Sequence, residues 1–587
     1  MAGEAMIYWV DADQPGFRRV EFTSGFNVVL AERTKESTEK DSRNGLGKSL
    51  LLDIIHFCLA SSPGTGDVLR QSPLEDWTFS MELDIRSERI LVRRKTTDLG
   101  RILLAGNTAD WPIKTKVDPE TGEQFLPRED WARLLGWAFF DLNPGKPKGK
   151  YPISFRALIS YFIRREQSGF ISPFENAKGQ REWDRQEHTA FLLGLNWEHA
   201  QQWQILKDRA SEISDLGKAL RTGVVSDFIG SIGALNTSRV RLEAMIRHDQ
   251  QALDSFRVHE EYQAIEVEAN SLTFAMKGLL NANIVDQGMM ELYRNNLVDE
   301  SPADEIAVVE MYAQAGVVLS NQVVKRLNDV AAFHQQVVAN RRQFLGGEVE
   351  RLKEAIANRV QEIRVLSDRR AEFLKILQTH GALEDYTRLQ NLLADRTAEL
   401  SELNRRIALW EKLEKESSAV RIDKAQLKIA ARADLDDRKP EWEEAISLFN
   451  SNSEALYESP GELIIDLKDT GFQFEVIILR AGSEGIERMK VFCYDLMLAQ
   501  RWSSRSPSKV SLIHDSIMFD AVDVRQRARA LELAANESEA RGFQYICCFN
   551  SDMVPFESFD PSFDFDQYVC HRLTDATEDG GLLGKRF

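Results

Sequence analysis

The chain has 587 residues, 43% hydrophobic and 28% charged, which is typical of a globular protein too long for one ordinary core. Its 74 basic and 92 acidic residues leave a formal charge of -18, which excludes general binding to polyanions and confines any nucleic-acid surface to a local basic patch. Cysteines are too sparse for a disulfide framework, and no apolar run reaches the roughly 18 residues that span a bilayer. We therefore expect a cytoplasmic protein of about two to four structural units with no membrane contact.

Three zones follow one another along the chain. Residues 1–197 contain strand candidates such as "GFNVVLA" and "RILVRRKT", and "DLNPGKPKGKYP" has the composition of a loop. From 198 to 453 proline almost vanishes and apolar residues recur at helical spacing. In 454–587 strand-like runs return as "ELIIDLKD", "FQFEVIIL", "KVSLIHDS" and "FQYICCF". The order predicts two halves of one globular domain separated by a helical excursion.

The helical zone shows a heptad pattern, which favours a coiled coil over a globular helical bundle. Its clearest stretch keeps apolar residues at Val349, Leu352, Ile356, Ile363, Leu366, Phe373 and Leu377. Between the helical stretches, "NANIVDQGMM" and "NNLVDESPADE" carry the Gly, Pro and Asn that a reversal needs. We therefore expect an antiparallel coil with one arm over 198–278, an apex over 279–320 and a second arm over 321–453. A single long helical bundle domain is the alternative.

The stretch "SRNGLGKS" has the features of a phosphate-binding loop. It follows the strand "FNVVL" and precedes the apolar helix "SLLLDIIHFCL", whose N-terminus would face an anion. Lys48 would contact the β- and γ-phosphates and the Ser49 hydroxyl would hold magnesium, while Ser42 occupies the position of the usual entry glycine. The predicted nucleotide-binding residues are Asn44, Gly45, Gly47, Lys48, Ser49 and Leu50.

Magnesium also needs an acidic residue at the end of a buried strand, and "KVSLIHDS" offers Asp515 in that place. A polar residue ending a buried strand is common by itself. Its position in the half-domain after the coil gives Asp515 weight as a metal ligand and catalytic residue. The predicted cofactors are thus ATP and Mg2+.

The two half-domains that flank a coil resemble the SMC-like ATPases, including RecN and SbcC. The resemblance implies an α/β ABC-type head split into N- and C-terminal halves by a long antiparallel coiled coil. "RAGSEGIERMKVFCYDLMLAQ" resembles the signature segment, with Ser483 and Gly485 at a helix start. "ISYFIRREQSGF" resembles a Q-loop that places Gln167 near the metal, and "FDAVDVRQRARALELA" resembles the D-loop, with Asp523 as its acid.

A narrower resemblance covers nearly the full length. It rests on stretches such as "NGLGKSLLLDIIHFCL", "GSEGIERMKVFCYDLML", "HDSIMFDAVDVRQ" and "GGLLGKRF". These are similar to the coiled-coil ATPase of bacterial ABC-three-component conflict systems, which is related to the SMC-type subunit of Lamassu anti-phage defence. The resemblance implies an ATPase that senses double-stranded DNA, forms a homodimer through ATP-sandwiched heads and controls separate effector and accessory subunits. A RecN/SbcC-type repair or chromosome-organising ATPase is one alternative, and a nucleotide-gated scaffold with little hydrolysis is another.

Two positions depart from the pattern of such ATPases. Ser516 stands where a water-polarising glutamate is usual, and Asn550 and Ser551 stand where a histidine is expected. His514 or Asp520 could position the attacking water, since both side chains support acid-base chemistry. His514 could equally be a core histidine. The two departures predict slow hydrolysis, or a binding switch with little turnover.

A basic stretch between 143 and 165 contains no acidic residue before Arg165 and is the candidate DNA contact. Its basic residues are Lys146, Lys148, Lys150, Arg156, Arg164 and Arg165. We expect Lys146, Lys148 and Lys150 to bind DNA. The alternative is a solvated loop followed by arginines near the nucleotide.

Overall fold

The computed structural model describes residues 6–32, 46–64, 66–145, 150–165, 167–222, 232–254, 260–299, 321–377, 383–478, 483–577 and 579–584. Asn44, Gly45, Lys146 and Lys148 lie outside these residues. The chain forms two compact units. The first is built chiefly from Met1–Ile205 and Ala425–Phe587, and the second from Leu206–Val308 and Asp329–Lys424.

A seven-stranded antiparallel sheet in the first unit is built entirely from residues near the start of the chain. The strand order is β2-β1-β4-β5-β6-β8-β7. Alternating buried and half-exposed residues in β4 and β5 show that one face of the sheet packs on the core. The strands are β1 (Ile7–Ala12), β2 (Val20–Glu21), β4 (Thr78–Ile85), β5 (Glu88–Lys95), β6 (Arg101–Ala105), β7 (Lys116–Val117) and β8 (Gln124–Pro127).

A second sheet, in the order β11-β12-β3-β13, joins the two ends of the chain. Its strands are β3 (Phe26–Glu32), β11 (Ser511–His514), β12 (Gln544–Asn550) and β13 (Val569–Thr574), and all neighbours are parallel. The strands β3 and β12 are almost wholly buried, which explains their continuous apolar sequences. The strands predicted at "GFNVVLA", "KVSLIHDS" and "FQYICCF" are confirmed.

Helices cover the faces of these sheets, and the hairpin of β9 (Glu462–Lys468) and β10 (Gly471–Ile477) completes the first unit. The first helix contacts β4 and β5 of the antiparallel sheet, so the apolar run after "GLGKS" is buried against that sheet. The helices are α1 (Lys48–Cys58), α2 (Arg128–Phe140), α3 (Phe155–Ile159), α4 (Glu182–Leu192), α10 (Lys439–Tyr457), α11 (Glu484–Arg505) and α12 (Val524–Arg541).

Long helices account for the region of the predicted coil. They are α5 (Trp197–Thr222), α6 (Ile232–Asp254), α7 (Glu260–Asp299), α8 (Asn321–Leu377) and α9 (Leu383–Asp437). The predicted seam of α8 is confirmed, because Val349, Leu352 and Leu377 are buried and the intervening seam positions are less exposed than most of their neighbours.

The second unit agrees with the predicted antiparallel order on either side of the apex but differs in where the helices begin and end. Arg359 of α8 pairs with Asp286 of α7 at 2.6 Å and Arg369 pairs with Glu268 at 2.8 Å, so α7 and α8 are antiparallel. The expected reversal at "NANIVDQGMM" is wrong, because these residues lie inside the continuous helix α7. One glycine within a helix costs only about 1 kcal/mol and does not end it.

The predicted second arm, 321–453, is also not one helical arm. In α9, Tyr386 bonds Asn270 of α7 at 2.6 Å and Asp395 bonds Lys277 at 2.6 Å, so α9 runs parallel to α7. The helices α8 and α9 therefore run in opposite directions. Most of the signal "NNLVDESPADE" lies outside the described residues.

Within the described ranges, every helix is either too short or too polar to span a bilayer.

Candidate nucleotide site

The phosphate-loop residues that the structure describes lie at the N-terminus of α1. Gly47 caps this helix with φ +91°, a conformation that favours glycine. Lys48 begins the helix with a largely buried side chain, while Leu50 is directed into the core. A helix N-terminus presents unpaired amide groups and a partial positive charge, so this end of α1 suits an anion.

The side chains of Ser49 and Asp515 meet although 466 positions separate them. Ser49 Oγ donates a hydrogen bond to Asp515 Oδ2 at 2.7 Å. The parallel sheet causes this contact, because β11 ends at His514 and delivers Asp515 to the same edge as the helix that follows β3. Ser516, at the position of the missing glutamate, donates to Asp515 Oδ1 at 3.0 Å. Both oxygens of the carboxylate are thus bound by hydroxyl groups.

Lys48 also contacts the end of β12, since its Nζ donates to Asn550 Oδ1. Asn550 stands at the position where the resemblance to SMC-like ATPases implies a histidine. Its carbonyl oxygen gives the lysine ammonium a neutral acceptor, and the pair links the loop to a strand from the other end of the chain. Sequence reasoning identified Asn550 as a departure but missed this contact.

The predicted signature segment begins at Ser483, which is exposed and caps α11. A Cβ on Gly485 would lie only 2.3 Å from the backbone oxygen of Ala521, so only glycine fits there. Ala521 itself has φ +60°. Two residues later, Asp523 caps α12 by accepting a hydrogen bond from Arg525 N at 3.0 Å. The structure therefore places the predicted signature start against the predicted D-loop.

Asp520 lies between these two segments and has an exposed side chain. Partial desolvation raises the pKa of its carboxyl group, and the charge of Asp515 adds to this effect, while Arg488 and Arg527 oppose it. A carboxyl with a raised pKa near a metal-ligand candidate has the properties of a general base.

His514 lies in the core, as the alternative interpretation of this residue predicted. Its imidazole is fully buried, with Nε2 3.2 Å from Asp495 Oδ2 and Nδ1 3.2 Å from the Tyr545 hydroxyl. Burial lowers the pKa of the imidazole, so the ring is neutral near pH 7. Because both nitrogens are engaged inside the protein, this position does not favour the predicted contact with an attacking water.

Gln167 is exposed, and in the described residues it makes no hydrogen bond to Ser49 or Asp515. Its neighbour Arg165 instead pairs with Asp53 of α1. Burial raises the pKa of Asp53 to about 6, although Arg165 opposes the shift. This pair links the predicted Q-loop to the helix that carries Lys48, and no sequence pattern indicated the contact.

Only part of the predicted DNA patch is described. Lys150 is exposed beside Tyr151. Arg156 is directed inward and bonds Leu59 O at 3.0 Å, and Arg164 is fully buried. Together with Arg165, these arginines stabilise the interior and are not a surface for phosphates, so any DNA contact of this stretch falls on its lysines.

The residues brought together fit a magnesium nucleotide. Magnesium prefers oxygen ligands, and Ser49 and Asp515 supply a hydroxyl and a carboxylate side by side. Lys48 supplies the positive charge that triphosphate requires. What the arrangement can do chemically is hold phosphate groups and neutralise their charge.

The comparisons with known proteins add a partial family match. Residues 452–587 match a family described as "Uncharacterised protein conserved in bacteria (DUF2326)". No curated protein matches the chain.

The chain is similar to several solved structures at low identity. The Smc head domain with a coiled coil and joint from Pyrococcus yayanosii is 14% identical and has a TM-score of 0.34, over 98% of this chain and 96% of that chain. The Smc head domain with an extended coiled coil bound to the C-terminal domain of ScpA, from Pyrococcus furiosus, is 11% identical and has a TM-score of 0.31, over 94% of this chain and 92% of that chain. The recombination mediator protein RecF with ATP is 10% identical and has a TM-score of 0.25, over 96% of this chain and 95% of that chain.

Proposed function

We propose that this chain is an SMC-like ATPase that binds ATP and Mg2+ between the heads of two copies. The observation that carries the proposal is the hydrogen bond from Ser49 to Asp515 at 2.7 Å, at the N-terminus of the helix that Lys48 begins. A chance "GKS" in a surface loop would have no reason to meet an aspartate at the end of a neighbouring parallel strand. The split of the head across both ends of the chain is supported by β3 lying beside β12.

In this function each residue has a defined task. The amides at the start of α1 and the ammonium of Lys48 bind phosphate oxygens, and Ser49 and Asp515 hold magnesium. Magnesium, when bound, neutralises charge on the β- and γ-phosphates. Asp520 is the better candidate for positioning water, because His514 is enclosed by the core. Ser516 keeps its proton at neutral pH, so turnover is slow.

The site must be completed by a second copy. Ser483 is exposed at the start of α11, and Gly485 packs on Ala521 rather than on the phosphate loop. On a single head the signature segment therefore leaves its own nucleotide uncovered, whereas two heads can each cover the other's ATP.

ATP-dependent dimerisation tests this function. We expect wild-type protein to dimerise on addition of MgATP in light scattering after size-exclusion chromatography. Ser483→Arg should bind ATP with unchanged affinity in calorimetry yet remain monomeric, because the bulky cation blocks the facing phosphates. Lys48→Ala is the control that loses binding itself. A Ser483→Arg variant that still dimerises with ATP would contradict the signature assignment, and wild type that binds no ATP would refute the function.

We further propose that double-stranded DNA raises the ATPase rate and that the dimer controls separate effector and accessory subunits in anti-phage defence. The basic stretch with its exposed Lys150 supports the DNA contact. Co-expression with the products of adjacent genes tests the partners, since recovery of a nuclease or other hydrolase in the complex favours defence. A stable complex with chromosome-organising proteins instead would favour the repair-type alternative.

The DNA contact is predicted to depend on the lysines of the stretch. Replacing Lys146, Lys148 and Lys150 by Glu should weaken binding to a DNA duplex and flatten its salt dependence, because each phosphate contact contributes to the slope. The matched control replaces Lys114, Lys116 and Lys178, which are exposed on the same unit, so the net charge changes equally. Equal loss of binding in both variants, measured by fluorescence anisotropy across a salt titration, would place the DNA site elsewhere.

A further inference from the structure

The segment Gly580–Gly584, which we name the strap, lies directly against the phosphate loop. Leu582 N donates to Leu46 O at 2.9 Å, and Leu582 O accepts from Arg18 N at 2.9 Å. The Leu582 side chain is fully buried. The strap therefore bridges the residue before Gly47 and a turn near the start of the chain.

The strap also approaches so closely that several positions require glycine. A Cβ on Gly47 would lie 2.8 Å from Leu582 Cβ, which shows that this side chain covers the helix cap. Gly584 has φ +63°, and a Cβ there would lie 1.9 Å from Gly16 O. A contact this short to a backbone atom allows no side chain on Gly584 and fixes the path of the strap there.

The other end of the strap is anchored to the parallel sheet. Thr574, the last residue of β13, donates from its backbone N to Gly580 O at 3.0 Å. Thr574 is paired with Glu32, the last residue of β3. The strap thus runs from the edge where β3 ends to the point where α1 begins.

We propose that the strap is a positioning element for the nucleotide and that Leu582 is its positioning residue. The inference rests on the proposed function and extends it, because Leu582 would set the affinity for the phosphate groups without touching them. Amides bind phosphate tightly when they are already oriented, since ordering a loose loop costs binding free energy. By packing on Gly47 and bonding Leu46, the strap holds the cap of α1 in its oriented conformation.

The experiment compares two adjacent buried leucines. Leu582→Ala should raise the Kd for MgATP roughly tenfold in calorimetry, a loss that corresponds to about 1.4 kcal/mol of binding free energy. Leu583→Ala is the matched control, because Leu583 is also buried and its loss lowers the midpoint of thermal unfolding without uncovering Gly47. Leu582→Met, which keeps a side chain of similar volume, should retain the wild-type Kd for MgATP. Leu582→Val, a smaller truncation, should give an intermediate Kd and remains informative if the alanine variant does not fold.

The outcomes separate the strap from the proposed function. Wild type that binds no MgATP would refute the function, whatever the variants do. Wild type that binds, with Leu582→Ala and Leu583→Ala shifting the Kd equally or not at all, would overturn the strap proposal alone. A larger Kd in Leu582→Ala and Leu582→Val but not in Leu583→Ala or Leu582→Met, at equal loss of thermal stability in the two alanine variants, supports the positioning role.

Discussion

Asp515→Asn is expected to abolish magnesium-dependent ATP turnover while leaving the fold intact. The amide keeps the shape of the carboxylate and can still accept the hydrogen bond from Ser49, whose Oγ lies 2.7 Å from Asp515 Oδ2 in wild type. It lacks the negative charge that balances magnesium, so the metal loses a ligand and phosphoryl transfer loses most of its charge neutralisation. Phosphate release at saturating MgATP should fall to background, with an unchanged midpoint of thermal unfolding.

Two further variants define what Asp515 does. Asp515→Ala should also be inactive but less stable, because it leaves the largely buried hydroxyl of Ser516 without its acceptor. Asp520→Asn should keep ATP binding and slow turnover, because in the proposed function its carboxyl orients the water and does not hold the metal. Turnover retained in Asp515→Asn would remove Asp515 from the metal site, and fast hydrolysis without DNA in wild type would contradict the slow, DNA-stimulated ATPase.

The sequence predicted the core of this site because the relevant chemistry is local. A strand, a glycine-containing loop and an apolar helix in that order define the surroundings of Lys48, and a buried strand that ends in an acid defines Asp515. The contact between Ser49 and Asp515 follows once both strands belong to one parallel sheet, since the carboxyl ends of parallel strands share an edge.

Contacts between distant segments could not be predicted in the same way. The glycine at Gly485 was assigned to a signature segment, but its need to approach Ala521 depends on how two loops pack. Leu582 resembled any apolar residue in "GGLLGK" until its position over Gly47 was known. His514 is the converse case. Its place at the polar end of a buried strand, beside Asp515, suggested catalysis, whereas strand alternation directs its side chain to Asp495 in the core.

The coil shows a further limit of periodic patterns. The heptad positions of α8 were correct, since burial of every third or fourth residue is a property of one helix. The predicted start of the apex was not, because "NANIVDQGMM" carries turn-forming residues that a helix tolerates when its neighbours supply packing. Which helices run side by side is decided by pairs such as Arg359 with Asp286, and no periodicity within one segment encodes such a pair.

Arg164 is the centre of a buried hydrogen-bond network that includes Asp495, and its loss is expected to destabilise the first unit more than the loss of any other residue of that network. Its side chain is fully buried, and its Nε and Nη2 donate to the two oxygens of Asp495 at 2.6 and 2.7 Å. Nη1 donates to the backbone oxygens of Gly169 and Glu175, each at 2.7 Å. Arg164→Met removes these bonds and leaves a buried carboxylate without its partner, so the free energy of unfolding should fall by about 3–5 kcal/mol.

Matched variants separate the buried pair from an ordinary surface pair. Arg529→Met breaks an exposed ion pair with Glu458 at 2.8 Å and should cost less than about 1 kcal/mol. Adding Asp495→Leu to Arg164→Met should recover part of the loss, because the uncompensated charge is then absent. Urea unfolding followed by tryptophan fluorescence measures all four proteins, and a cost for Arg164→Met no larger than that of Arg529→Met would contradict the pairing.

The loss in Arg164→Met should also depend on pH, because His514 contacts the same carboxylate. In wild type, burial and the charge of Arg164 both lower the pKa of His514, so this group favours unfolding as pH falls below the unfolded value of about 6.5. Without Arg164, one of the two causes that lower the pKa of His514 is gone while Asp495 still raises it, so this pKa is higher in the variant than in wild type. Protonation of His514 then costs the folded variant less, and the variant loses less stability than wild type as pH falls. The difference in unfolding free energy between wild type and Arg164→Met should therefore be smaller at pH 5.5 than at pH 8, and an equal difference at both would show that His514 does not accept the proton.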